Sequence, residues 1–185
     1  MPGPVFLRGD AVTLRPPERD DLAFVKRAMN DPRVWRPALD VTPTNDEQVT
    51  EFFETVLSNE SDVHVLACDG DDPLGILSLT TSKYGPSETS RARSAELAYW
   101  FAPAHHGEGY AGDAARELVR YAFEDRNLRR LEADVGAFNA ASSGLLESLG
   151  FEQEGTRREA AWYRGDYHDM YVYGLLRSDW AAPTA

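Results

Sequence analysis

An aromatic, strand-like run from Ala95 to Phe101 leads into Pro103-Ala-His-His-Gly-Glu-Gly-Tyr-Ala-Gly112, and a helical pattern starts directly beyond it. This strand–turn–helix junction constrains the fold more than any other stretch. Ala114, Leu118 and Ala122 fall in line on one side of the helix, with Asp113, Arg116, Glu117, Arg120 and Glu124 on the opposite face. Gly107 and Gly109 let the backbone approach a ligand closely, because neither carries a Cβ. The free N–H groups and positive dipole end of the helix would then form an anion site, with pyrophosphate as the natural guest. The turn lacks the Lys-Ser/Thr of a P-loop and the third glycine of a dinucleotide fingerprint, which argues against both classes. A plain structural turn would use the same two glycines, so this pair by itself leaves both readings open.

The rest of the chain alternates in period. Val12 to Arg15 reads as a short strand broken by Pro16-Pro17, and Asp20 can cap a helix carrying Leu22, Val25 and Met29. Thr44-x-x-Glu47 reads as a capping box for a second helix over roughly 45 to 58. Val63–Ala67 and Leu74–Thr80 follow as strands joined by the turn Asp69-Gly-Asp-Asp-Pro73, and Ser82 to Ser90 reads as a loop. Leu131 to Val135 is a predicted strand. Asn139 opens a helix that Gly150 terminates, and strands near 151–161 and 167–176 flank the hairpin-like turn Tyr163-Arg-Gly-Asp166. There are no internal repeats. The order predicts one α/β domain over residues 1–185: a mixed sheet with helices on both faces.

Composition narrows the function. The chain has 185 residues, 42% of them hydrophobic, too many for disorder. No apolar run approaches the roughly 20 residues of a membrane span, and the start has no secretory pattern. Cys68 is the only cysteine, so no internal disulfide forms and a cytoplasmic location is expected. The net charge of −12 argues against nucleic acid as partner. Lys26 and Lys83 are the only lysines, and 31 acidic residues face 19 basic ones. Such an acid-rich, Lys-poor surface suits concentrated salt, while a genome favouring Arg over Lys is the alternative. Cys68, in a strand, reads as a buried hydrophobe.

Several segments together resemble the GNAT superfamily of acetyl-CoA-dependent N-acetyltransferases. Asn139-Ala-Ala-Ser142 through Leu149-Gly-Phe151 and Glu154-Gly155 matches the second half of that family, and Glu96 through Ala111 looks like its cofactor motif. Leu14-Arg-Pro-Pro-Glu-Arg-Asp-Asp-Leu22 with Asn30-Asp-Pro32, and Gly165–Asp169 with Leu175–Trp180, resemble the branch that acetylates ribosomal-protein N-termini. The family's motif prefers Gln or Arg where His106 stands. The resemblance implies the GNAT fold and acetyl-CoA as donor substrate. It implies cofactor binding by the strand residues Tyr99, Trp100 and Phe101, by His106, Gly107, Gly109, Tyr110 and Ala111 at the turn, and by Asn139. Backbone N–H groups of the Leu97–Phe101 strand would be oxyanion donors.

The resemblance also implies Glu96 as the base, acting directly or through water, and Ser142 as the hydrogen-bond donor to the leaving sulfur. Asn139 and Ser142 stand one helical turn apart and can share a side. His105 and His106 are secondary candidates for the base, and Arg116 and Arg120 could reach a 3′-phosphate. Trp35, Trp100, Trp162 and Tyr163 are candidates for the acceptor side. The implied acceptor is a primary amine. A protein N-terminal α-amine is the first choice and a polyamine, amino acid or amine drug the alternative; a non-catalytic acyl-CoA-binding module is the competing class. The oligomeric state is left between monomer and homodimer.

Overall fold

Two-residue turns set the register of the antiparallel strands. Gly70 (φ +57°) joins β3 (Val63–Asp69) to β4 (Asp72–Thr81), with Asp69 opposite Asp72. Arg164 and Gly165, both at positive φ, join β7 (Glu152–Tyr163) to β8 (Asp166–Leu176), as a tight hairpin turn requires. The computed structural model describes residues 3–39, 42–81 and 93–180. The expected loop from Ser82 to Ser90 lies outside them. Asp72 and Pro73, read from sequence as turn, belong to β4. A bulge at Ala67/Cys68 gives Pro73 a place where no ladder hydrogen bond is needed.

The remaining elements are β1 (Leu7–Arg8), β2 (Thr13–Arg15), α1 (Leu22–Met29), α2 (Pro32–Trp35), α3 (Asp46–Phe52), β5 (Ser94–Phe101), α4 (Tyr110–Glu124), β6 (Arg130–Gly136) and α5 (Ala140–Ser148). The cap of α3 is Asn45, whose Oδ1 accepts from the N–H groups of Glu47 and Gln48 at 2.9 Å. The capping box is therefore Asn45/Gln48, one residue beyond the expected Thr44/Glu47, since Asn is the stronger cap. Helix α3 continues as a π-helical turn, Phe53–Leu57. Before α1, the chain turns through Asp21, which accepts from the Glu18 N–H at 2.8 Å, instead of being capped by Asp20.

The eight strands form one sheet in the order β1-β2-β3-β4-β5-β6-β8-β7. Odd residues of β5 and β6 (Ala95, Leu97, Phe101, Leu131, Ala133, Val135) pack with α4 and α5 in the larger core. On the other face Leu66, Cys68, Ile76 and Trp100 pack with Phe24 and Val25 of α1 and Val49 of α3. Helices thus cover both faces, as expected for a GNAT-like mixed sheet. This second core takes no residue from β6, β7 or β8, so that part of its face is left concave. Among the described residues no helix is long and apolar enough to cross a membrane.

One pairing in this sheet matters most. Strands β5 and β6 are parallel and register only over Ser94↔Arg130, Ala95↔Leu131 and Glu96↔Glu132. Both strands run on, β5 to Phe101 and β6 to Gly136, so past Glu96 they splay apart. A wedge-shaped gap opens in the middle of the sheet.

Candidate active site

The gap is lined by backbone polar groups. The Ala102 N–H bonds the Leu74 carbonyl at 2.8 Å, which fixes the alternation of β5: even residues bond β4, and odd ones point toward β6. Tyr99 and Phe101 lie beyond the last β5–β6 pair, so their N–H groups face the gap without a strand partner. Buried N–H groups are rarely left orphaned, and a carbonyl oxygen in the gap would satisfy them.

The gap's mouth is the turn before α4. Gly107 (φ +85°) and Gly109 (φ +82°) adopt the left-handed conformation that side chains resist. A Cβ built on either would meet nothing within 4 Å, so open space lies in front of the turn. The Asp113 N–H bonds the Gly109 carbonyl to close the first helical turn, and the N–H groups of Tyr110 and Ala111 precede any intrahelical partner. Open space, free donors and the helix dipole fit a pyrophosphate. His106 turns back, its Nε2 donating to the Phe101 carbonyl at 2.9 Å, while the Tyr110 hydroxyl donates to Asp69 Oδ2 at 3.1 Å. The His105 ring lies edge-on to Tyr110.

On the α4/α5 side of the gap the chain brings Tyr99 and Ser142 together. The Tyr99 hydroxyl is 2.9 Å from Ser142 Oγ and 3.3 Å from the Ser142 carbonyl. Burial raises the Tyr99 phenol above its ordinary pKa, against a smaller opposing effect of the Ser142 hydrogen bond, so it stays a protonated donor. Asn139 caps α5, its Oδ1 accepting from the Ser142 N–H at 3.2 Å, which leaves its amide NH2 to act elsewhere. The sequence singled out Tyr99 and Ser142 separately. Their mutual hydrogen bond, across 43 positions, had no local signal.

Glu96 sits on the opposite face, at the last β5–β6 pair before the splay. It lines a cavity of about 740 Å³ on the concave side of β6, β8 and β7, together with Glu132, Asp134, Glu154, Arg130 and Arg157. Trp35, Trp100, Trp162 and Tyr163 do not line it. Trp100 stacks on Phe24 (5.7 Å between centroids), Tyr163 stacks on Phe138 (3.9 Å), and Trp162 is 59% exposed on the β7–β8 hairpin. Arg120 is engaged by Glu117 and Glu124 on its own helix. Cys68 is fully buried, and burial pushes its thiol up to about 11, which suits a core residue and not a nucleophile.

The sequence placed Asp113 on the solvent face of α4, and the structure corrects this. Asp113 is 9% exposed, and its carboxylate accepts the backbone N–H groups of Asp10 (3.0 Å), Ala11 (2.7 Å) and Val12 (3.0 Å). Gly9 makes room for it: a Cβ there would stand 2.8 Å from the Asp113 carboxyl carbon. This clamp ties the N-terminal hairpin to the helix that carries the phosphate turn.

Comparison with known proteins agrees with this arrangement. The family model "Acetyltransferase (GNAT) domain" matches residues 11–152. The chain is similar to "Uncharacterized N-acetyltransferase p20" of Bacillus licheniformis, 29% identical over 178 residues, covering 93% of this chain and 96% of that one. It is also similar to "Putative ribosomal N-acetyltransferase YdaF" of Bacillus subtilis, 36% identical over 88 residues, 48% of each chain. Among solved structures, the spermidine N-acetyltransferase of Vibrio cholerae in complex with CoA and spermine superposes with a TM-score of 0.80 at 25% identity, covering 91% of this chain and 97% of that one. With a splayed central sheet, a glycine turn that fits pyrophosphate and a family match over most of its length, this chain belongs to the GNAT acetyltransferases and transfers acetyl groups from acetyl-CoA to an amine.

Proposed function

We propose that the acceptor is the α-amine of a polypeptide N-terminus, attacking the thioester directly, with Glu96 as base and Ser142 as donor to the leaving sulfur. The observation that carries this reading is the placement of Glu96 and Ser142 on opposite faces of the sheet, flanking the point where β5 and β6 part. Tyr99 lies three residues beyond Glu96 along β5, about 10 Å at strand rise, which leaves room for an amine and a thioester between the two groups.

The acceptor amine approaches from the Glu96 cavity and attacks the carbonyl carbon. The C–N bond forms as the carbonyl π pair moves to oxygen, and the Tyr99 and Phe101 N–H groups hold that oxyanion. The ammonium proton passes to Glu96, directly or through one water. The oxyanion pair then re-forms the carbonyl as the C–S bond breaks, and the Ser142 hydroxyl, hydrogen-bonded to Tyr99, donates a hydrogen bond to the departing thiolate, which is protonated from solvent after it leaves. An α-amine titrates at about 7.7–8.0 and is partly neutral at pH 7, whereas a lysine-like amine near 10.4 demands a stronger base. A solvent-linked carboxylate suits the first. Asn139 would bind the amide portion of the donor, and the turn residues Gly107, Gly109, Tyr110 and Ala111 its pyrophosphate, with His106 and Trp100 framing the turn and strand.

The test is acetylation of a peptide beginning in Ala or Ser. Glu96→Gln should lower kcat/KM about 10²–10³-fold, since the proton acceptor is gone. A folded variant that keeps the wild-type kcat/KM would remove Glu96 from the mechanism.

A further inference from the structure

The cavity beside Glu96 is built around an arginine bridge. Arg130 Nε donates to Glu132 Oε1 at 2.9 Å, and its two terminal nitrogens pair with Glu154, one of them at 2.8 Å from Oε1. Reaching from β6 to β7 requires crossing β8, and the crossing point is Gly174. A Cβ on Gly174 would collide with the Glu154 carboxylate and stand 2.6 Å from Arg130 Nη2. The partner is placed by a bulge: Gln153 pairs with Tyr173 and Gly155 with Val172, so Glu154 is the extra residue that the ladder leaves out. A glycine, a bulge and a guanidinium thus combine in one bridge.

The consequence is electrostatic. Four carboxylates line the cavity (Glu96, Glu132, Asp134, Glu154) against the guanidinium residues Arg129, Arg130 and Arg157. Arg157 pairs with Asp134 at 2.5 Å. Among the described residues Glu96 is the one of the four carboxylates with no ion pair, and against three guanidinium groups the lining keeps one negative charge in excess.

We propose that Arg130 is a specificity-determining residue of the acceptor site: by ion-pairing with both Glu132 and Glu154 it occupies the carboxylates that further ammonium groups would need, which favours an acceptor with a single cationic group and selects against polyamines. The selection rests on the reading of this cavity as the acceptor side. A polyamine brings further ammonium groups that would have to be desolvated without a free carboxylate, and a missing partner is a repulsive element of specificity. A peptide α-amine brings one charge and places it at Glu96.

The experiment compares spermidine with an amidated, otherwise uncharged Ala-starting tripeptide on the wild type, Arg130→Gln and Glu154→Gln. Arg130→Gln removes the positive charge that holds Glu154 and screens Glu132, and should raise the spermidine-to-peptide ratio of kcat/KM by about tenfold, mainly through a lower KM for spermidine. Glu154→Gln removes a negative charge and should move the ratio the other way, a reversal that loss of packing alone would not produce. Calorimetric titration of spermidine into each variant gives the same ordering without turnover. Should Arg130→Gln fail to fold, Arg157→Gln, which frees Asp134 in the same cavity, must shift the ratio in the Arg130 direction. An unchanged ratio and unchanged spermidine binding in the folded variants overturn the proposal while leaving peptide acetylation standing. A wild type that acetylates spermidine and no peptide sinks the N-terminal reading, and the variant ordering still decides the role of Arg130.

Discussion

The hydroxyl pair Tyr99–Ser142 makes a prediction that neither residue makes alone. If Ser142 donates a hydrogen bond to the departing sulfur and Tyr99 stands behind it, Ser142→Ala should lower kcat by about 10–100-fold with little change in KM for acetyl-CoA. Tyr99→Phe should cost less, about three- to tenfold, because Ser142 keeps its own proton. The double variant should be no slower than Ser142→Ala, since two members of one chain do not add. Steady-state kinetics on the three proteins checks this; fully multiplicative losses would mean that the hydroxyls act independently. The family resemblance names the two residues separately, Ser142 as a donor to the sulfur and Tyr99 as part of the cofactor strand. Their contact was not legible, because local periodicity says nothing about which strand faces which helix across 43 positions. The ion-pair lining of the cavity beside Glu96 was hidden for the same reason, since Arg130, Glu154 and Gly174 meet only through sheet order.

At the level of elements, α4 shows both what a pattern can reveal and where it stops. The apolar row Ala114, Leu118 and Ala122 was read correctly, all three being fully buried, while the helix starts at Tyr110, inside the stretch to Gly112 that was read as turn, because Gly109 at positive φ already caps it. Asp113 was misplaced because an amphipathic wheel sorts residues by polarity. A carboxylate with three backbone donors is polar and buried at once. The central splay was equally invisible, as it depends on β5 and β6 being neighbours, which their own sequences do not specify. The clamp predicts a stability effect without a chemical one. Asp113→Asn keeps the shape but offers one acceptor oxygen and an NH2 that opposes the donors, and should cost about 2–3 kcal/mol. For a chain of this length that lowers the melting midpoint by roughly 4–12 °C. Thermal melts give the cost, and peptide acetylation well below the midpoint should remain within about twofold of wild type. A melting point within about a degree of wild type would show that the N-terminal hairpin is held by other contacts.

For the whole molecule the decisive quantity is charge. Thirty-one acidic side chains against 19 basic ones leave a net −12. Several cations are already committed locally: Arg19 to Glu54, Lys26 to Asp46, Arg33 to Asp31, and Arg120 to its three acidic neighbours. Such exposed pairs contribute about 0–1 kcal/mol each and weaken in salt. The excess carboxylates act in the opposite sense, repelling one another over distances that salt shortens, from about 10 Å at 0.1 M to about 3 Å at 1 M. With far more carboxylates than cations to pair them, the repulsive term is the larger, and a total stability of only about 5–15 kcal/mol makes it count. The melting midpoint should therefore rise between about 0.1 M and above 1 M potassium chloride. Activity at saturating acetyl-CoA should follow, even though the pyrophosphate contact proposed at Gly107–Ala111 would weaken and raise the KM for the donor. The two effects separate by experiment: melts without ligand read the repulsion, and donor KM against salt reads the turn. A midpoint that is flat or falling over that range would trace the Lys-poor, acid-rich composition to codon bias and leave no adaptation to salt to explain.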